Sequence, residues 1–182
     1  MRSRVLGCVV LLTAATAGCA SSSALPEPPA QQRVQIVGMA GRLTVNSNST
    51  ASKSSIAAPI EQVWRVLPAV FDSLGVAVSS VDQAQHVIGN DALKVRQRLG
   101  KAPLSRYLDC GQTQIGPNAD SYDVVLTLLV QLLPNGVGST TLLSTVEATA
   151  KPIAYAQSAS ACSSKGALES RLTTLIQTLL PQ

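Results

Sequence analysis

Aromatic side chains are nearly missing from this 182-residue chain, which has one Trp, one Phe and three Tyr. Single-stranded nucleic acid is held largely by stacking on such rings, so nucleic acid is not an expected partner. Histidine is scarcer still: His86 stands alone. One imidazole leaves little for a metal site or a histidine-based catalyst. Charged residues make up 13% of the chain, and Arg2 and Arg4 at the extreme N-terminus supply two of its formal net charge of +4. No Gly-rich phosphate loop opens a helix after a strand, and no Gly-x-Ser-x-Gly elbow is present. The reading is therefore not an enzyme, with no cofactor and no metal.

What is present starts with a leader. Met1-Arg2-Ser3-Arg4 is basic, and 5–18 is uncharged but too short for a bilayer, which takes roughly 20 apolar residues as a helix. A basic start, a short apolar stretch and small residues at its end describe a secretory signal peptide over 1–18. Thr16-Ala17-Gly18-Cys19 resembles the bacterial lipobox, with Thr16 where a Leu-like residue is usual. The resemblance implies that Cys19 is acylated and becomes the first residue of the mature chain. Cys8, after Val5-Leu6-Gly7, comes too early for that role. Residues 19–32, with Pro26, Pro28 and Pro29 among Ser, Ala and Gln, read as a lipidated cysteine and an extended, flexible tether. Ala20 and Ser21 carry no acid behind the cysteine, which in the enteric sorting pattern implies the outer membrane, facing the periplasm.

Two cysteines remain for the folded part, Cys110 and Cys162. In an exported chain they are expected to form one disulfide; the alternative is two buried free thiols. Neither has a Cys or His at metal-ligand spacing.

Residues 33–182 are expected to form a single domain. Val34, Ile36, Leu43 and Val45 suggest one or two strands in 33–47. Pro59 suits a first helical turn. Ile60, Val63, Trp64, Leu67, Val70, Phe71 and Leu74 then recur at helical steps, with Gly75 as a left-handed cap. Pro68 should kink that helix. Val76-Ala77-Val78 reads as a strand, followed by 86–89 and 92–99 as two more around an Asn90-Asp91 turn. A long loop covers 100–121. The strand 122–133 carries Val124, Leu126, Leu128, Val130 and Leu132 on one face, and after Pro134-Asn135-Gly136 it returns as 139–149. A last helix, 164–180, aligns Leu168, Leu172, Leu175, Ile176 and Leu179. Strands bracketed by helices predict α+β, an antiparallel sheet packed against a long C-terminal helix and the Trp-containing helix.

The stretch Ala58-Pro59-Ile60-Glu61-Gln62-Val63-Trp64, with Leu67, Leu74-Gly75-Val76, Asp82 and Ile88-Gly89, resembles the helix-grip domain of the C subunit of the outer-membrane β-barrel assembly machine and related bacterial lipoproteins. The resemblance implies a helix, a Gly turn, a strand, an acidic turn and a second strand. Its residues are packing residues, so it implies fold more than function. This chain has room for one such domain where that subunit has two.

Two surfaces carry the expectation of binding. Lys94, Arg96 and Arg98 alternate and should share one strand face, continued by Lys101 and Arg106; a solvated face and an anionic partner are the two readings. In the loop, Leu104, Tyr107 and Leu108 are either binding residues or the underside of a loop folded over the core. His86 is expected in a short strand, and Asp120 with Asp123 is the nearest approach to a carboxylate pair. The resulting expectation is a non-catalytic envelope lipoprotein, held to the membrane by its lipid anchor, that binds or scaffolds a protein partner. The alternative is a carrier of a lipid or other hydrophobic ligand held between sheet and helix.

Overall fold

A computed structural model describes the backbone of residues 37–38 and 41–42, and residues 51–154 and 156–181 in full. The residues read as signal peptide (1–18) and as lipidated cysteine and tether (19–32) lie outside the described residues, as does most of 33–47. Within that stretch Val37–Gly38 pairs antiparallel with Gly41–Arg42.

The remaining elements in chain order are β1 (Ser52–Ile56), α1 (Ile60–Leu74), β2 (Ser80–Asp82), β3 (Val87–Arg96), β4 (Asp123–Pro134), β5 (Thr140–Lys151), β6 (Ser160–Ser164) and α2 (Ala167–Leu179), with short pieces between β3 and β4. The chain is α+β. Among the described residues every strand pairing is antiparallel, and α2 is C-terminal.

Helix α1 begins and ends for identifiable reasons. Pro59 is extended (φ −60°, ψ 148°) and stands one residue before the helix rather than in its first turn; its carbonyl accepts the N–H groups of Gln62 and Val63. At the other end Gly75 takes φ 74°, donating its N–H to Asp72 while Val76 donates to Phe71. These two bonds satisfy carbonyls that the helix end would otherwise leave bare. Pro68 lies on the exposed face inside the helix without ending it. Val63, Leu67, Val70, Phe71 and Leu74 are buried.

The sheet is built on β4 and β5, which pair without interruption from Asp123 opposite Lys151 to Pro134 opposite Thr140. On the far side of β4 runs β3, with β2 hydrogen-bonded to its start. The outer edge of β5 is shared: β1 pairs with Thr140 to Ser144, and β6 with Ala148 to Ala150. Alternation along β4 puts Val124, Leu126, Leu128, Val130 and Leu132 on one face, in one buried cluster with α1 and with Leu168, Leu172 and Ile176 of α2. The opposite face is more mixed. There Val87, Leu129 and Leu143 are buried outside that cluster, while Val125 and Leu133 are exposed.

Several boundaries differ from those expected. Residues 76–79 are not a strand; the ladder starts at Ser80, after Ser79 donates its N–H to Gly89. Asn90-Asp91 is no turn between two strands, because β3 runs through it. Leu126 faces Leu93 and Leu128 faces Asn90, so Asp91 and Ala92 oppose Thr127 alone, a β-bulge. Asn90 still makes the local bonds that signal a turn, but inside the ladder. Its amide donates to the Ala77 carbonyl (2.6 Å), and its Oδ1 accepts the N–H of Ala92 (2.9 Å). Thr127 donates its hydroxyl to the Asp91 carbonyl (2.6 Å). The last helix starts at Ala167, because residues up to Ser164 belong to β6 and Gly166 (φ 75°) turns the chain.

Candidate functional site

The segment between β3 and β4 was expected to be a long loop, and it is a chain of small ties. Gln97 adopts φ 63° and ends β3. Arg98–Leu99 then pairs with Ala102–Pro103. Gly100 (φ 57°) lies against the end of α1: a Cβ there would stand 3.0 Å from the Leu74 carbonyl oxygen, so backbone meets backbone. A 3-10 turn, Leu104–Arg106, is held by Asp120, whose carboxylate accepts the N–H (2.8 Å) and the hydroxyl (2.6 Å) of Ser105. Leu108–Asp109 joins the sheet beside β6. Lys165 donates its backbone N–H to the Tyr107 carbonyl and its ammonium to that of Ser105 (2.7 Å).

Next to that ladder Cys110 and Cys162 form a disulfide, with Cα atoms 4.2 Å apart and a sequence separation of 52. Asn118 holds the far side, donating its backbone N–H to Gly111 (3.0 Å) and its side-chain amide to the Cys110 carbonyl (3.1 Å). The loop is thus pinned to β6 covalently and by hydrogen bonds.

This arrangement corrects one expectation. Leu104, Tyr107 and Leu108 are all buried in the main core cluster, so they present no surface to a partner. Their spacing reflected the underside of the segment. The basic residues are exposed, but Arg98 is not on the strand of Lys94 and Arg96; it lies on the next short strand, opposite Arg96. Lys94 and Arg96 lie on β3, and the left-handed Gln97 separates them from Arg98, which donates to the Lys101 carbonyl (3.2 Å). Arg96 meets Asp123 at 3.3 Å with both side chains more than half exposed, a pair of small energetic worth. Arg106 closes the 3-10 turn.

The other single residues are also accounted for. His86 is in the turn between β2 and β3 at φ 50°, not in a strand. Histidine is among the residues that tolerate that conformation. Its carbonyl accepts the Leu132 N–H, its ring stands edge-on to Trp64 at 5.4 Å, and its Nε2 is 3.7 Å from Glu61. Trp64 packs against the core but is only half-buried. Asp120 and Asp123 are committed to different partners, Ser105 and Arg96. Among the described residues no three His, Cys, Asp or Glu side chains gather as a metal site would need. Sequence reasoning missed Glu169, which is buried in the first turn of α2 and accepts the Ser164 hydroxyl (2.6 Å). Its five-residue offset from Ser164 matches no capping pattern, so nothing marked it.

The feature that sequence reasoning did not foresee is an open apolar cleft of about 380 Å³ at the sheet end where β4 starts and β5 finishes. It is lined by Thr113, Gln114, Ile115, Ser121, Tyr122, Pro152, Ile153 and Ala154. Gln112–Thr113 pairs with Gly116–Pro117, so Gln114 and Ile115 form the tip of a tight hairpin. Ile115 is 89% exposed and Ile153, across the cleft, 50%. Ile115 and Ile153, with Pro152 and Ala154, make the lining of this cleft largely apolar. The chain matches no protein-family model, and no curated protein sequence shows significant similarity to it.

Proposed function

We propose that this chain is a non-catalytic envelope lipoprotein, anchored by lipid on Cys19 to the outer membrane and facing the periplasm, whose domain serves as a binding or scaffolding module. The observation that carries the export half is the Cys110–Cys162 disulfide, a bond that persists in oxidising compartments and is rare in the cytosol. It agrees with the basic, apolar leader that ends at the lipobox-like Thr16-Ala17-Gly18-Cys19. The binding half rests on the cleft that Ile115 and Ile153 line, an open apolar surface of the kind that interaction sites use. The sheet with both helices in its core cluster supports a helix-grip-like reading of the fold.

The carrier alternative receives less support. A ligand between sheet and helix needs room there, and the side chains that meet in that space, Leu67, Phe71, Leu128 and Leu172 among them, are fully buried against one another.

The anchor is tested with Cys19→Ser in cells fed labelled palmitate. The expected result is an uncut precursor and loss of acyl label. Label entering the variant at the parental level would overturn the lipoprotein reading.

A further inference from the structure

We propose that the sheet end around the cleft docks onto an anionic phospholipid surface, with Ile115 and Ile153 entering the interface and the neighbouring cations meeting the headgroups. Nearness to a bilayer rests on the lipoprotein reading; the surface itself rests on geometry and charge.

Shape comes first. The cleft is open, and its most exposed apolar side chains stand on its rim, on two separate loops. Protrusions of this kind suit insertion into a fluid interface, where apolar area leaves water without a matching solid partner. The hairpin that carries Ile115 is short and paired, and its stem is tied to Cys110 through Asn118. Its exposure is therefore built in, and little ordering entropy is lost when it binds.

Charge selects the occupant. Residues 111–117 and 152–154 carry no charge at all. The strand ends beside them are basic: Arg96 and Lys151 flank Asp123 across three adjacent strands, and Lys94, Arg98 and Lys101 are exposed nearby. Three acids stand at this end against the five cations named, and only one of the three is paired with a cation. Asp123 takes Arg96, Asp120 takes Ser105, and Asp109 accepts the N–H of Gly111. An uncharged apolar tip bordered by surplus cations complements a bilayer with anionic headgroups. It fits the notion of the basic residues as an anionic-partner surface, but across a sheet end rather than along one strand.

The test uses the full chain as purified from envelopes, with Ile115→Trp or Ile153→Trp added singly to a protein whose one native tryptophan, Trp64, is half-buried against the core. Each variant is mixed with vesicles of brominated anionic or brominated zwitterionic phospholipid, and bromine quenching is read. Both new tryptophans should lose emission on anionic vesicles, far less on zwitterionic ones, and recover in high salt, while the parent stays unquenched. Replacing Arg98 or Lys151 with Gln should weaken the effect, by about fivefold in affinity per cation. Protein that is anchored to anionic vesicles yet unquenched at both positions would overturn the proposal and leave the lipoprotein reading standing. Quenching in a chain that carries no acyl group would do the reverse. A response of both tryptophans to polyglutamate but not to vesicles would also overturn it and assign the surface to an acidic protein.

Discussion

The β4–β5 hairpin and the segment between β3 and β4 touch the same core, yet they are held by different means. The hairpin is a ladder in unbroken register from Asp123–Lys151 to Pro134–Thr140, and the core-facing residues of β4 from Val124 to Leu132 are all apolar. Shifting it by a residue would turn that face to water, so pattern alone specifies it. The segment 97–121 contains no stretch of that kind. It is fastened by Asp120 to Ser105, Lys165 to Ser105 and Tyr107, Asn118 to Cys110, and a disulfide at a sequence separation of 52. Both regions bury apolar side chains, Leu99, Leu104, Tyr107 and Leu108 in the segment, but the hairpin adds continuous register and the segment adds discrete fastenings. Removing a fastening should therefore loosen one region without touching the other.

The largest effect is expected from the disulfide. Closing a loop at a sequence separation of 52 stabilises by about 4 kcal/mol through chain entropy. Replacing Cys110 and Cys162 together by Ala should lower the unfolding free energy by that order in urea titration. Amide exchange should rise first in 104–118 while the β4 and β5 amides stay protected. Uniform loss of protection across both regions would erase the contrast.

Gly89 tests the ladder side. A Cβ there would overlap the Leu128 carbonyl oxygen and press on Leu129, so Gly89→Ala must push β3 away from β4 beside the bulge. The expected cost is about 3 kcal/mol in urea titration, the upper range for overpacking. Exchange should rise along β3 and leave the segment's own ties intact. An alanine tolerated without loss would mean the strand approach is looser than the structure has it.

Asp120 gives the smallest and most local effect. Asp120→Ala removes both bonds to Ser105, at an expected cost of about 1.5 kcal/mol for hydrogen bonds to a charged group. In a background lacking the disulfide the same substitution should act more strongly, because the two fastenings share one segment. Strict additivity in that double cycle would show that they hold separate parts.

Much of this contrast follows from what a sequence can encode locally. The stripe from Ile60 to Leu74, the cap at Gly75 and the alternation of β4 determined α1 and the hairpin, since side-chain period and φ preference are properties of neighbouring residues. Cys110 and Cys162 were readable as a pair because reading Cys8 and Cys19 as leader and anchor leaves no other cysteine. Residues whose partners lie far along the chain were not readable in this way. Asn90-Asp91 signals a turn by composition, and only Ala77 and Thr127, packed beside it, make it a bulge. Leu104, Tyr107 and Leu108 have the composition of either a binding loop or a core. The tertiary structure decides for the core by laying the segment on β6 and α1. The cleft is the extreme case. Ile115 and Ile153 are 38 positions apart in the printed sequence, and no local pattern relates them. They line one cleft because the fold brings the 112–117 hairpin to the sheet end where β4 starts and β5 finishes, which only the folded sheet decides.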